Sequence, residues 1–366
     1  MNPAFWKDKR VFLTGHTGFK GAWLSFWLAE MGAKVTGYAL PPHTEPSLFN
    51  EISPDMEINS ISGDIRDLNA LAAALEHSKA EIVIHMAAQA LVRDGYDDPV
   101  NTYSTNVMGT VNILEACRKT KGIRAILIIT TDKCYENNEW VWGYRENEPM
   151  GGHDPYSSSK GCAELVVSAY RRSYELIAAT ARAGNVIGGG DWSKNRLLPD
   201  IIRAVLSGSK VELRNPEAIR PWQHVLDCLH GYLTLCEALY ERGQAVAEGF
   251  NFGPYEFDAK TVAWMLERFL KCVGLPPLYD KQPGNHPHEA RYLKLDISKA
   301  VSTIGWKPVW NAEKAIDMTA QWLNDMQAGK KISLICQTQI QEFMDAAAKT
   351  LHYNVRCRGR RPRRPA

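Results

Sequence analysis

Between residues 10 and 38 the chain reads strand, glycine loop, helix, glycine, strand, and few folds accept that succession. Residues 10–14 are a short apolar run, Gly15-His16-Thr17-Gly18-Phe19-Lys20-Gly21 follows at once, residues 22–31 have helical character closed by Gly32, and residues 34–38 are a second apolar run. Two strands joined through a helix lie parallel, because the crossover returns the chain to the same edge of the sheet. Residues 81–85 and 124–130 are further runs of this kind with helical stretches between them. The alternation predicts an α/β fold with a doubly wound, Rossmann-type parallel sheet.

The loop also predicts a ligand. Glycines between a strand and a helix let the backbone approach a pyrophosphate, and the helix N-terminus faces its negative charge. Gly15, Gly18, Phe19 and Gly21 are therefore candidate cofactor contacts. Two later strand ends fit the same dinucleotide: Asp64 and Ile65, where a carboxylate could accept from an adenine amino group, and Ala87 and Ala88, whose small side chains let a dinucleotide lie flat across the sheet. His85 beside them reads as a core histidine. The acidic residue that binds adenosine ribose hydroxyls is replaced by Gly37-Tyr38-Ala39-Leu40, with no arginine for a 2′-phosphate. NAD is expected over NADP, held weakly enough to exchange.

Tyr156 and Lys160 stand four residues apart in a helix expected to open at Pro155 and run to about Tyr174, so they share a face. An ammonium there favours the phenolate of a tyrosine whose unperturbed pKa is about 10. Thr131-Asp132-Lys133 ends a strand upstream. Asp132 and Lys133 add two titratable groups that plain hydride transfer does not require, which points to a second proton-moving step.

Beyond Gly188-Gly189-Gly190 the pattern loosens. A helix at residues 197–207 and a strand at 211–213 leave the sheet, residues 224–252 return to it, and a strand at 292–296 and a helix at 311–324 build a smaller C-terminal substrate-binding lobe. The expected division is 1–190 with 220–255 for the dinucleotide-binding domain, and 191–219 with 256–345 for the lobe. Residues 346–366 are expected to be a disordered basic tail, since six arginines from Arg356 to Arg364 carry no acid among them. A net charge of +2 then leaves the body mildly acidic, so neither nucleic acid nor a membrane is expected as a partner. No run is long and apolar enough for a membrane span, and the N-terminus lacks the apolar region of a signal peptide, so the reading is cytoplasmic. Eight cysteines form no CxxC pair, so buried thiols are expected and no metal site.

With the glycine loop, Thr131-Asp132-Lys133 and Tyr156-x-x-x-Lys160 in this order, the chain resembles the extended short-chain dehydrogenase/reductases that act on nucleotide sugars. The resemblance reaches to about residue 325. It rests most on the glycine loop, Thr130-Thr131-Asp132-Lys133-Cys134-Tyr135-Glu136-Asn137, Trp142-Gly143-Tyr144-Arg145-Glu146 and Arg220-Pro221-Trp222-Gln223-His224-Val225. It implies NAD as cofactor and a 4,6-dehydration: oxidation at C4 of the sugar, loss of water across C5 and C6, and hydride return to C6. It assigns Tyr156 to the C4 hydroxyl proton, Thr131 to that oxygen, Lys160 to the nicotinamide ribose, and Asp132 to protonation of the departing C6 hydroxyl. The commoner 4,6-dehydratases carry glutamate as the C5 base where this chain has Lys133, and the branch resembling it there acts on CDP-glucose. Lys133 is then either that base or a charge that stabilises the enolate. For substrate binding the resemblance points to Gln89, Asn185, Arg196, Arg220 and Arg291. Other dehydratases or epimerases of the family, and a non-catalytic NAD-binding protein, remain as alternatives. The apolar faces of residues 100–118 and 156–174 suit a homodimer or homotetramer.

Overall fold

The computed structural model describes residues 1–213, 215–277, 279–281 and 292–358, with side chains other than those of 281 and 351–358. Its main sheet has seven strands: β1 (Arg10–Thr14), β2 (Lys34–Ala39), β3 (Ile58–Ser62), β4 (Ile82–His85), β5 (Ala125–Ile129), β6 (Ala178–Ala183) and β7 (Gly249–Phe252). Their order is β7-β6-β5-β4-β1-β2-β3, and every neighbouring pair is parallel. The order reverses between β1 and β4, where open parallel sheets form their ligand crevice.

Both faces of the sheet are covered, because successive residues of each strand point to opposite sides. The flanking helices are α1 (Phe19–Glu30), α2 (Leu68–Ser78), α3 (Gly109–Lys119), α4 (Pro155–Tyr174), α5 (Leu197–Ser207), α6 (Val225–Arg242), α7 (Val262–Cys272), α8 (Ala312–Gln327) and α9 (Ile332–Arg358). On one face Val11, Leu13, Ile84 and Leu127 pack with Trp23 and Trp27 of α1, Leu229 of α6 and Phe343 of α9. On the other, Phe12, Val83, Ile126 and Ile128 meet Leu75 of α2, Ile113 of α3 and Val167 of α4. A second apolar core joins Ile201 and Ile202 of α5, Met265 and Phe269 of α7, and Ile316 and Leu323 of α8. That core is separate from the two on the faces of the sheet.

Several boundaries depart from the sequence reading. Helix α1 starts at Phe19 rather than residue 22, so Gly21 is a helical residue and not part of the loop. Residues 292–296 form no strand: one bridge, Tyr144 with Leu295, holds them in place. Residues 335–347 pack on the large core through Ile335, Cys336, Ile340, Phe343 and Ala347 instead of joining the lobe. The basic tail expected from residue 346 begins as helix, since α9 runs to Arg358, while residues 359–366 lie outside the described residues. Among the described residues no helix is long and apolar enough to cross a membrane. The described cysteines are free, and Cys117, Cys134, Cys228, Cys236 and Cys336 are buried.

One buried carboxylate fastens the chain where it passes into the lobe. Asp227 of α6 accepts from the Val309 amide at 2.6 Å and the Trp310 amide at 3.1 Å, and burial pushes it up to about 7. Removing it strands two amide donors, so Asp227→Ala is expected to lower unfolding free energy by about 2–4 kcal/mol. Denaturant titration at unchanged slope checks this, and a loss below about 0.5 kcal/mol would contradict the account.

Candidate active site

The glycine loop is shaped by close backbone approach. Gly15 has φ +77°, and a Cβ there would lie 2.6 Å from the Ala87 nitrogen. A Cβ on Gly21 would lie 2.1 Å from the Gly15 carbonyl oxygen, so α1 can pack on the loop only with glycine in its first turn. Gly18 differs, because its added Cβ would meet nothing nearer than the Gly15 oxygen at 3.6 Å. It caps α1 without any side-chain bond. The space and the amides at this helix start fit a phosphate.

Thr14 at the end of β1 organises the facing turn. Its Oγ1 accepts from the Met86 and Ala87 amides, both at 3.2 Å, and hydrogen-bonds His85 Nδ1 at 2.7 Å. Burial pushes His85 down to about 3, so it is neutral scaffolding. Ala87 and Ala88 are half-buried beside it. Ile65 is buried, close against Gly109. Asp64 receives Arg66 through its backbone and guanidinium, which holds the carboxyl below its usual range. Phe19 lies against Gly188. At β2, Gly37 has no room for a side chain, since a Cβ would come 2.4 Å from the ring of buried His16. His16 bonds Ser60 Oγ at 2.7 Å and is pushed down to about 4 by burial.

Thr131, Asp132, Tyr156 and Lys160 converge where β5 and α4 meet. Asp154 caps α4 by accepting from the Ser157 amide, and Pro155 occupies the first turn, which fixes Tyr156 and Lys160 on the inward side. The Thr131 hydroxyl donates to Asp132 Oδ1 at 3.0 Å and lies within hydrogen-bond reach of the Tyr156 phenol. Asp132 is buried, its Oδ2 has no partner among the described residues, and Gly184 makes its space: a Cβ there would lie 1.8 Å from Oδ2. Burial pushes Asp132 up, against the opposing charges of Lys133 and Arg220. Lys133 itself is exposed.

The phenol corrects an expectation. Tyr156 keeps part of its surface in the cleft, yet the protein around it pushes it up to about 12, with Thr131 and Arg196 opposing. Lys160 Nζ donates instead to the Ile129 carbonyl at 3.2 Å. Burial, and then the charge of Lys20, push Lys160 down to about 8. Lys20 is the residue the sequence reading passed over. From the first turn of α1 it donates to the Tyr232 hydroxyl at 3.2 Å, and its charge is felt with those of Arg196, Asp132 and Asp191. A lysine inside a glycine motif was the available signal.

Arg196 pairs with buried Asp191 at 3.1 Å, and its charge reaches Tyr156. Arg220 sits on a short strand paired with Lys260, and its charge reaches Asp132. Asn185 is left-handed, with φ +47°, and its carbonyl accepts from the Gln223 amide at 3.3 Å. Gln89 turns its side chain back on the Leu91 backbone, at 2.8 and 3.2 Å. Buried Asn106, which no sequence signal marked, holds the Gln89 backbone from both sides and donates to Ser159 Oγ. Arg291 lies outside the described residues.

The GDP-mannose 4,6 dehydratase family model matches residues 12–319, and the chain belongs to that family. A CDP-glucose 4,6-dehydratase of Salmonella typhimurium is 50% identical over 358 residues, covering 95% of this chain and 100% of that protein. A dTDP-glucose 4,6-dehydratase of Streptomyces antibioticus is 25% identical over 87% of this chain and 93% of its own. The solved dTDP-glucose 4,6-dehydratase of Bacillus anthracis, in complex with NAD, aligns with TM-score 0.75 at 22% identity over 87% of this chain and 98% of that one. A UDP-glucose 4-epimerase of Thermotoga maritima with UDP-glucose aligns with TM-score 0.76 at 22% identity, over 87% and 99%. The fold is thus common to dehydratases and epimerases.

Lys160 binds protons less readily folded than unfolded, so its ammonium costs stability below pH about 8, and that cost fades as pH rises through the unfolded value of 10.5. Lys20→Met removes one cause, so Lys160 is expected to titrate at higher pH and the variant to be more stable at pH 7. NMR of 13C-methylated lysines, with Lys160→Arg for assignment, checks this; an unmoved titration would refute the coupling.

Proposed function

We propose that the protein is a CDP-glucose 4,6-dehydratase, converting CDP-glucose to CDP-4-keto-6-deoxyglucose and water. The observation that carries the reading is a buried carboxyl held up in pKa, Asp132, set beside Tyr156 and Thr131 in the cleft. The likeness to the Salmonella typhimurium enzyme supports the nucleotide. The glycine cradle and the open space at Gly18 fit NAD, with Gly15, Gly18, Phe19 and Gly21 at the pyrophosphate and Lys160 at the nicotinamide ribose. Bound there, NAD would supply a two-electron store, accepting hydride from C4 and returning it at C6.

Tyr156 takes the C4 hydroxyl proton while Thr131 bonds the same oxygen. A phenol near 12 is a weak acid, so a neighbouring positive charge, for which Lys160 on the same helix face is the candidate, is what brings it into use as a base. Once C4 is a ketone, the C5 proton is acidic. Lys133 removes it, or stabilises the enolate that forms. Asp132, whose proton affinity burial raises, gives its proton to the C6 hydroxyl, which leaves as water. Returning hydrogen at C6 and a proton at C5 completes the product. Arg220 and Arg196 are the cations placed to meet the diphosphate, with Gln89, Asn185 and Arg291 as further substrate contacts.

An epimerase on this fold needs no acid at C6, and the space that Gly184 leaves for Asp132 favours dehydration. The proposed division of labour is residues 1–190 and 220–255 for NAD and 191–219 with the chain from 256 to the end of α8 for the sugar nucleotide, since residues 335–347 pack on the large core. The setting is cytoplasmic deoxysugar synthesis for lipopolysaccharide O-antigen. Val100 and Met108, exposed on the short helical turns just before α3, and Leu165, exposed on α4, support a homodimer or homotetramer through that face.

With CDP-glucose and added NAD, the product is expected to be lighter by one water and to show the alkali-induced absorbance of a 4-keto sugar. An unchanged mass would refute the assignment. Asp132→Asn is expected to slow water loss on the order of 10²-fold or more while leaving NAD binding intact. Sedimentation is expected to give a dimer or larger species, and Val100→Asp a smaller one. A wild-type monomer would overturn the oligomer.

A further inference from the structure

A fully buried ion pair lies beneath the active site, and the reaction as written makes no use of it. Glu164 stands four residues beyond Lys160 and eight beyond Tyr156 on α4, so the three share one face of the helix. Its Oε1 accepts from Thr130 Oγ1 at 2.5 Å and Arg182 Nε at 3.0 Å. Its Oε2 accepts from Thr180 Oγ1 at 2.7 Å and Arg182 Nη2 at 2.8 Å. Arg182 Nη1 donates to the Tyr135 hydroxyl at 2.6 Å and the Glu146 carbonyl at 3.1 Å. Tyr135 in turn donates to Asn251 Oδ1 at 2.7 Å.

The sequence position of these partners is what matters. Thr130 immediately precedes Thr131, and Tyr135 immediately follows the short helical turn Asp132–Cys134. The network therefore grips both ends of the segment that carries Thr131, Asp132 and Lys133. Asp132 has little else to aim it: Oδ1 is bonded to the neighbouring Thr131, Oδ2 has no partner among the described residues, and Lys133 is exposed. The direction of both groups is set by the backbone turn. Tyr156 and Lys160 are held separately, by the capped start of α4 and by the Ile129 carbonyl.

A buried ion pair is a poor source of stability, since well-packed apolar residues of similar volume often serve as well. Fixed geometry is what such a network supplies. We propose that Glu164 and Arg182 are positioning residues that hold the Thr131–Lys133 turn in register with Tyr156 and Lys160 for elimination of water. The proposal rests on the dehydratase reading above.

Two substitutions test it. Glu164→Gln keeps shape and removes the charge, and a cavity of about 970 Å³ that both Glu164 and Arg182 line gives water a route to the uncovered guanidinium. Thr130→Val removes a single hydroxyl and uncovers no charge, so it decides the matter if the first variant fails to fold. Each is assayed with CDP-glucose and NAD for product, KM, thermal unfolding and reduced-nicotinamide absorbance during turnover. Product formation is expected to fall, in Glu164→Gln on the order of 10²-fold, with KM little changed. Reduced nicotinamide is expected to build up, because oxidation at C4 proceeds while elimination lags. A purely structural role would slow both steps together, and that result, or wild-type rates in both variants, overturns the proposal. If the wild-type protein releases no water from CDP-glucose, the dehydratase reading is what fails.

Discussion

Charge held out of water at the carboxyl ends of the parallel strands is the constraint on which the site depends. Lys160, Asp132, Asp191, Glu164 and Arg182 are all buried, and Lys20 is enclosed with them. Each would be costly alone, because burial disfavours the charged form. Where a partner is at hand the charge stays, as in Glu164 with Arg182. Where the partner is weak or of like sign, the proton equilibrium moves: Lys160 falls to about 8 beside Lys20, and Asp132 rises. Burial thereby raises the proton affinity of an aspartate and lowers that of a lysine in one crevice.

The sheet is what makes that burial possible. Parallel strands covered on both faces place β1, β4, β5 and β6 with their ends in one crevice, so groups distant in sequence meet without a loop having to reach for them. Thr14 and His85 from adjacent strands bond each other, and Thr130 meets Thr180 through Glu164 in the same way. Three glycines then set tolerances that no other residue meets. Gly15 and Gly21 let α1 approach the loop, and Gly184 leaves the volume that the Asp132 carboxyl fills.

Much of this was legible in the chain. Two-sided apolar strands alternating with helices gave the parallel sheet, and the glycine spacing located the cradle. Pro155 before Tyr156 marked the helix start that places Tyr156 and Lys160 together, and the structure adds Asp154 as its cap. The edge strand β3 was harder to see, because its residues are largely exposed and carry Asn59 and two serines in place of an apolar run. The stretch at 292–296 looked like a strand by composition, yet it has one bridge to Tyr144 and no ladder partner. Helix α9 went unseen because its apolar positions pack on a surface built by α1 and α6, far away in sequence.

The sequence by itself determined the fold class, the glycine loop and the pairing of Tyr156 with Lys160 on one helix face, because these follow from local periodicity, backbone freedom at glycine and fixed spacing along one helix. The tertiary structure decided their chemistry. That Tyr156 is driven to about 12 rather than lowered, that Lys20 acts on Lys160, and that Gln89 turns back on its own loop depend on which atoms surround each group. Desolvation and charge are set by neighbours brought from elsewhere in the chain, and no spacing along the sequence encodes their distances.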